Sequence, residues 1–98
     1  MTDRDALEAR WLDLTRSVLP GLAAVRGWPV AADHCFQRIL LDAATGGVWY
    51  DAIPGRPAFR AASAAQLATA VALAEDAAAG RCDLVALNAQ SLAWRGKA

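Results

Sequence analysis

Residues 30–44 read VAADHCFQRILLDAA, and the glycine pair Gly46-Gly47 follows closely. Ala32, Cys35, Phe36, Ile39, Leu40 and Ala43 fall at the spacings that share one face of an α-helix, not at the two-residue alternation of a half-buried strand. Paired glycines supply the left-handed backbone on which helices end. The stretch therefore predicts a helix from near Val30 to Ala44 with an apolar face turned inward.

The same logic extends in both directions. Upstream, Leu7, Trp11, Leu14 and Val18 are separated by four, three and four residues, which predicts a helix from about Asp5 to Leu19. Pro20 is expected to end it or to begin the next turn, because proline disrupts a helix interior. A short helix over Leu22 to Arg26, closed by Gly27, and an extended Trp28-Pro29 pair complete the first third. Downstream, Ser63 is placed to cap a third long helix to Ala79, with Leu67, Ala70, Val71, Ala74 and Ala78 inward and Gly80 at its end. Asp83 caps a fourth, in which Leu84, Val85, Leu87 and Leu92 are apolar and Asn88, Gln90 and Ser91 go to water or to neighbours. Residues 1–4 and 95–98 are expected to fray. The fold class is all-α: residues 1–98 form one small bundle of about four main helices, with one long irregular loop over 48–62.

Composition supports a single folded unit. Ninety-eight residues provide material for one core, and an apolar content of 56% with four tryptophans can offset the entropy of ordering the chain. Ten basic and ten acidic residues cancel. No global field then draws in a polyanion or an acidic membrane, so nucleic acid is a poor candidate partner and an anion site has to be local. The longest uncharged stretch, Ala61 to Ala74, is too short and too polar to span a bilayer of about 20 apolar residues. The start of the chain lacks a basic, then apolar, secretory pattern. The expectation is a cytoplasmic protein whose cysteines, Cys35 and Cys82, are reduced.

Three groups of residues bear on chemistry. Asp33-His34-Cys35 are all metal-ligand types, but successive helical residues point about 100° apart, and one histidine with two cysteines falls short of a zinc set. No metal site is expected; Cys35 reads as a small core residue and His34 as lying at the core edge. His34, Arg38 and Asp42, four residues apart and widened by Gln37, form a polar stripe. It is either a solvated face with weak ion pairs or a contact surface for a partner or polar ligand. Tyr50 is followed by Arg56, Phe59 and Arg60, which lie in an interval without acids between Asp51 and Glu75, and the two arginines precede a helix start near Ser63. Free amides there favour an anion, whereas the plainer reading has Trp49 and Phe59 pinning the loop while the arginines are solvated. The candidate ligand-binding residues are Tyr50, Arg56, Phe59, Arg60, His34 and Arg38. No catalytic residue is assigned, because no serine lies in a strained glycine elbow, and neither a phosphate loop nor a dinucleotide fingerprint occurs, leaving the cofactor unknown.

The runs Arg26-Gly-Trp-Pro-Val30 and Asp33-His-Cys-Phe-Gln-Arg-Ile-Leu-Leu-Asp42, with Trp49-Tyr50, Arg56-Pro57, Leu87-Asn88 and Trp94-Arg-Gly-Lys97, resemble a group of small bacterial proteins labelled GCN5-related N-acetyltransferases. The resemblance spans most of the chain and implies an acetyl-coenzyme A-dependent N-acyltransferase or an accessory subunit. That superfamily is built on a mixed sheet and holds coenzyme A with an Arg/Gln-x-x-Gly-x-Gly/Ala loop. No such loop is present in this sequence, so no residue role carries over. The residues themselves favour a small binding or regulatory module for a protein partner or an anionic small molecule.

Overall fold

The computed structural model describes residues 3–97, which form helices and connecting turns, with no strand among them. In chain order the helices are α1 (Asp3–Asp13), a π-helical turn (Leu14–Val18), α2 (Leu19–Arg26), α3 (Asp33–Thr45), α4 (Trp49–Ala52), α5 (Ala58–Ala61), α6 (Ala64–Ala79) and α7 (Leu84–Trp94). The all-α expectation holds. Several of the expected boundaries do not.

At Pro20 the second of the two expected outcomes holds: the proline stands in the first turn of α2, which follows the π turn without a break. The π turn explains how: the Leu19 N–H donates to the Leu14 carbonyl five residues back, and the wider turn moves aside the carbonyl that the proline ring would otherwise strike. It also corrects the packing face. In a regular α-helix Leu19 and Ala23 would be rotated about 80° and 120° from Trp11, but absorbing one residue brings both within about 20° of it. Trp11, Leu14, Leu19 and Ala23 are all buried. Val18, which the sequence spacing placed on this face, is only half-buried.

Helix α3 begins at Asp33 rather than Val30. Ala32 is extended, at φ −88° and ψ 148°, and its carbonyl accepts the Cys35 and Phe36 amides. Ala32 is thus an exposed cap and not part of the apolar face. Gly46 ends the helix with φ 76°, and the Gly46 and Gly47 amides both donate to the Asp42 carbonyl, turning the chain back over α3. In the 48–62 segment, expected to be irregular, two single helical turns form, and Ile53 and Ala62 are buried beneath it.

Helix α6 opens as its sequence predicts. The Ser63 hydroxyl accepts the Gln66 amide at 3.0 Å and the Gln66 side chain accepts the Ser63 amide at 2.8 Å, a reciprocal capping box. Leu67, Ala70, Val71 and Ala74 face inward as expected; Ala77 rather than Ala78 completes the row. From the end of α2, the Arg26 guanidinium donates to the Ala77 and Ala78 carbonyls, binding the two helix ends together. Asp83 caps α7 through the Val85 and Ala86 amides. Val85 itself is exposed, because α7 packs mainly on α3 through Leu84, Asn88 and Ser91.

The ends are better held than expected. Asp3 and Arg4 lie inside α1, and the Arg4 guanidinium donates to the Phe59 and Arg60 carbonyls. At the other end, Gly96 takes φ 71° and the Lys97 amide donates to the Leu92 carbonyl, closing a turn after α7. Met1, Thr2 and Ala98, also expected to fray, lie outside the described residues. The core between the α1–α2 rod, α3 and α6 is built on Trp11, Phe36, Ile39 and Leu67, each essentially inaccessible.

Candidate functional site

The polar stripe on α3 is not a solvated face. It runs from an exposed His34, through a partly buried Arg38, to Asp42, which is 0% exposed. Helical spacing reported the shared face correctly, but the lower end of that face is covered by α7 and by the chain returning after Gly47. Each Asp42 oxygen accepts two hydrogen bonds. Oδ1 takes the Trp49 amide at 2.9 Å and Arg95 Nη2 at 3.0 Å; Oδ2 takes the Ser91 hydroxyl at 2.6 Å and Arg95 Nε at 2.8 Å. The fork-on-fork pairing holds the Arg95 guanidinium above its usual range, chiefly through the Asp42 hydrogen bonds. No buried side-chain nitrogen or oxygen among the described residues lacks a partner. Arg95, expected in a frayed tail, is instead one half of a buried ion pair with a side chain 17% exposed.

Arg38 joins this network from above. Its Nη1 donates to Ser91 Oγ at 2.7 Å and its Nη2 to Asn88 Oδ1 at 2.9 Å. Both acceptors are neutral, and no carboxylate among the described residues lies within ion-pairing distance of Arg38.

Arg38 forms part of the wall of a cleft of about 280 Å³ between α3 and the 49–58 segment, with His34, Gln37, Leu41, Trp49, Arg56, Pro57 and Ala58. Arg56 stacks on Trp49, its guanidinium carbon 5.0 Å from the ring centroid, and it too has no carboxylate partner among the described residues. Gln37 is held by the hydrogen bond from its Nε2 to Thr15 Oγ1 in the π turn, at 3.0 Å. The cleft thus gathers two guanidiniums, an amide, an imidazole and an indole.

Of the candidate residues, the structure brings His34, Arg38 and Arg56 together, uniting two groups that the sequence presented separately. The other three lie elsewhere. Tyr50 sits on the far side of Trp49, where the Arg95 guanidinium lies 5.4 Å from its ring. Phe59 packs against the core and the Arg60 guanidinium lies 5.8 Å from its ring centroid; neither residue lines the cleft. At the start of α6 the Ser63–Gln66 box takes the Ser63 and Gln66 amides. Sequence reasoning missed Asn88, Ser91 and Arg95 as a set. Their spacing of three and four along α7 and into its C-cap was the available signal: a polar stripe matching that of α3.

Cys35 and Cys82 are free thiols, and no group of three His, Cys, Asp or Glu side chains among the described residues is placed to hold a metal ion. Burial, followed by the nearby Asp76 and Asp83 carboxylates, raises the Cys82 thiol above its ordinary value despite Arg81. No helix among the described residues is long and apolar enough to cross a membrane. Comparison with protein-family models, with curated proteins and with solved structures finds no match to this chain.

Proposed function

We propose that this domain is a binding module for a small anion, taken in the cleft between α3 and the 49–58 segment. The observation that carries this reading is the pair of arginines, Arg38 and Arg56, on one cleft, neither within ion-pairing distance of a carboxylate among the described residues. Guanidiniums match carboxylate and phosphate oxygens with paired donors, and such bonds are stronger than neutral ones. The Gln37 amide and the His34 imidazole border the same space, and Trp49 and Leu41 give it an apolar wall. At about 280 Å³ the cleft lies near the lower end of the range for small-molecule sites, about 300 to 1,000 Å³, which suits a compact ligand or the charged end of a larger one.

Calorimetric titration with inorganic phosphate tests this directly. Wild-type protein should bind saturably. Arg56→Ala should weaken binding at least tenfold while costing no more than about 1 kcal/mol of stability, since that side chain is exposed, stacks on Trp49 and has no acidic partner among the described residues, whereas Arg60→Ala should bind as wild type. Repeating the titration with acetyl-coenzyme A covers the acyltransferase expectation raised by the family resemblance, its phosphates being the groups held. Absence of saturable binding of either compound, or an Arg56→Ala protein that binds as wild type does, refutes the proposal.

A further inference from the structure

We infer that Asn88 is a specificity-determining residue for this cleft: with Ser91 it positions the Arg38 guanidinium through neutral acceptors, leaving its positive charge for an anionic ligand. The inference rests on the anion-binding reading above and concerns how the site keeps its charge.

Charge balance across the α3–α7 contact is the basis. Arg38, Asp42 and Arg95 are its charged side chains, and Asn88 and Ser91 its neutral ones. Asp42 is engaged by Arg95 through both of its oxygens, so these two charges cancel within the buried pair. Ser91 stands between Asp42 and Arg38, donating to the carboxylate and accepting from the guanidinium. The Arg38 charge is therefore the one left over, and it sits on the cleft side of the network. A guanidinium has five N–H donors. Among the described residues two of Arg38's are taken, one by Ser91 and one by Asn88, so the orientation is fixed while other donors remain. A carboxylate at position 88 would hold Arg38 equally well in geometry and would cancel its charge. With an amide there the Arg38 charge is not cancelled and Arg56 adds a second positive charge, while the Asp33 carboxylate lies beside His34, 3.6 Å from its Nδ1.

Asn88→Asp separates this role from simple scaffolding, because it keeps the side-chain shape and the acceptor oxygen on Arg38 while replacing the amide NH2 with a second, charged oxygen. Phosphate binding should fall at least tenfold, while the melting temperature is unchanged or rises through the new ion pair. Asn88→Ala, which removes the tether and keeps the Arg38 charge, should weaken binding less than Asn88→Asp does. A second measurement needs no variant: on phosphate addition the Arg38 Nε–H resonance of the wild-type protein should shift and that of Arg95, bonded to Asp42, should stay in place. Wild-type binding that depends on Arg56 but is undiminished in a folded Asn88→Asp protein overturns the inference and leaves the anion-binding module standing. An Arg95 resonance that shifts while that of Arg38 does not has the same effect. If wild-type protein binds no phosphate at all, both fail together.

Discussion

Replacing Asp42 should remove a large part of this domain's stability, and the structure indicates how much. Four hydrogen bonds end on its carboxylate, two of them from a guanidinium. Counting each charge-assisted bond at about 1.5 to 3 kcal/mol would overstate the effect, because burying the ions cancels much of the gain. The relevant cost is that of leaving partners behind. Asp42→Ala strands the Trp49 amide, the Ser91 hydroxyl and an Arg95 guanidinium that has limited access to water. Breaking a buried pair in this way costs about 3 to 5 kcal/mol, against a total of about 5 to 15 for a domain of ordinary stability. Asp42→Asn keeps the volume and one acceptor oxygen but turns an amide group toward existing donors, so it should retain more than half of the loss. Urea denaturation followed by circular dichroism measures both, with an unchanged slope showing that the unfolded state is not the cause. An Asp42→Ala protein within about 1 kcal/mol of wild type would refute the reasoning, since the network would then contribute no more than a surface ion pair.

Two further outcomes follow from the core and from the thiol. Trp11→Ala and Phe36→Ala should each cost about 3 to 5 kcal/mol in the same denaturation assay, because both side chains are essentially inaccessible and their removal leaves a cavity; unchanged unfolding midpoints would show that the core is misassigned. The pH dependence of Cys82 alkylation, measured with Cys35→Ala in the background, should have its midpoint above the ordinary thiol value of 9.0. Because the folded protein holds that proton more tightly than the unfolded chain, Cys82 adds to stability below about pH 9, and this contribution declines as pH rises toward the folded-state value. A midpoint below 9.0 contradicts the assigned effect of burial and of Asp76 and Asp83.

Much of the fold was legible because its signals are local. Gly46, Gly80, Ser63 and Asp83 act within a turn of their own position, and each does what its residue type predicts. Pro20 is compatible with a stop or with a first helical turn, and only the π turn before it, which its residue type does not announce, decides for the latter. The site was legible by residue but not by assembly. His34 and Arg38 announce one helical face and Arg56 one loop, and nothing in their spacing says that the chain after Gly47 doubles back to join them. Asp42 shows the limit most clearly. Periodicity gives the direction of a side chain and not what covers it, and α3, with neighbours on several sides, buries part of its polar face as well as its apolar one.

Helix α7 packs mainly on α3, whereas α3 and α6 each have several substantial neighbours. An element with so narrow an attachment can detach locally at a free-energy cost below that of global unfolding. When it does, Asn88 and Ser91 leave Arg38, and Asp42 loses Arg95. A ligand of the proposed kind that prefers the docked arrangement would therefore stabilise α7 by mass action, although α7 does not line the cleft. On the anion-binding proposal, protection of the α7 amides from solvent exchange should rise as phosphate is added, a gauge of the cleft read from a helix that does not line it.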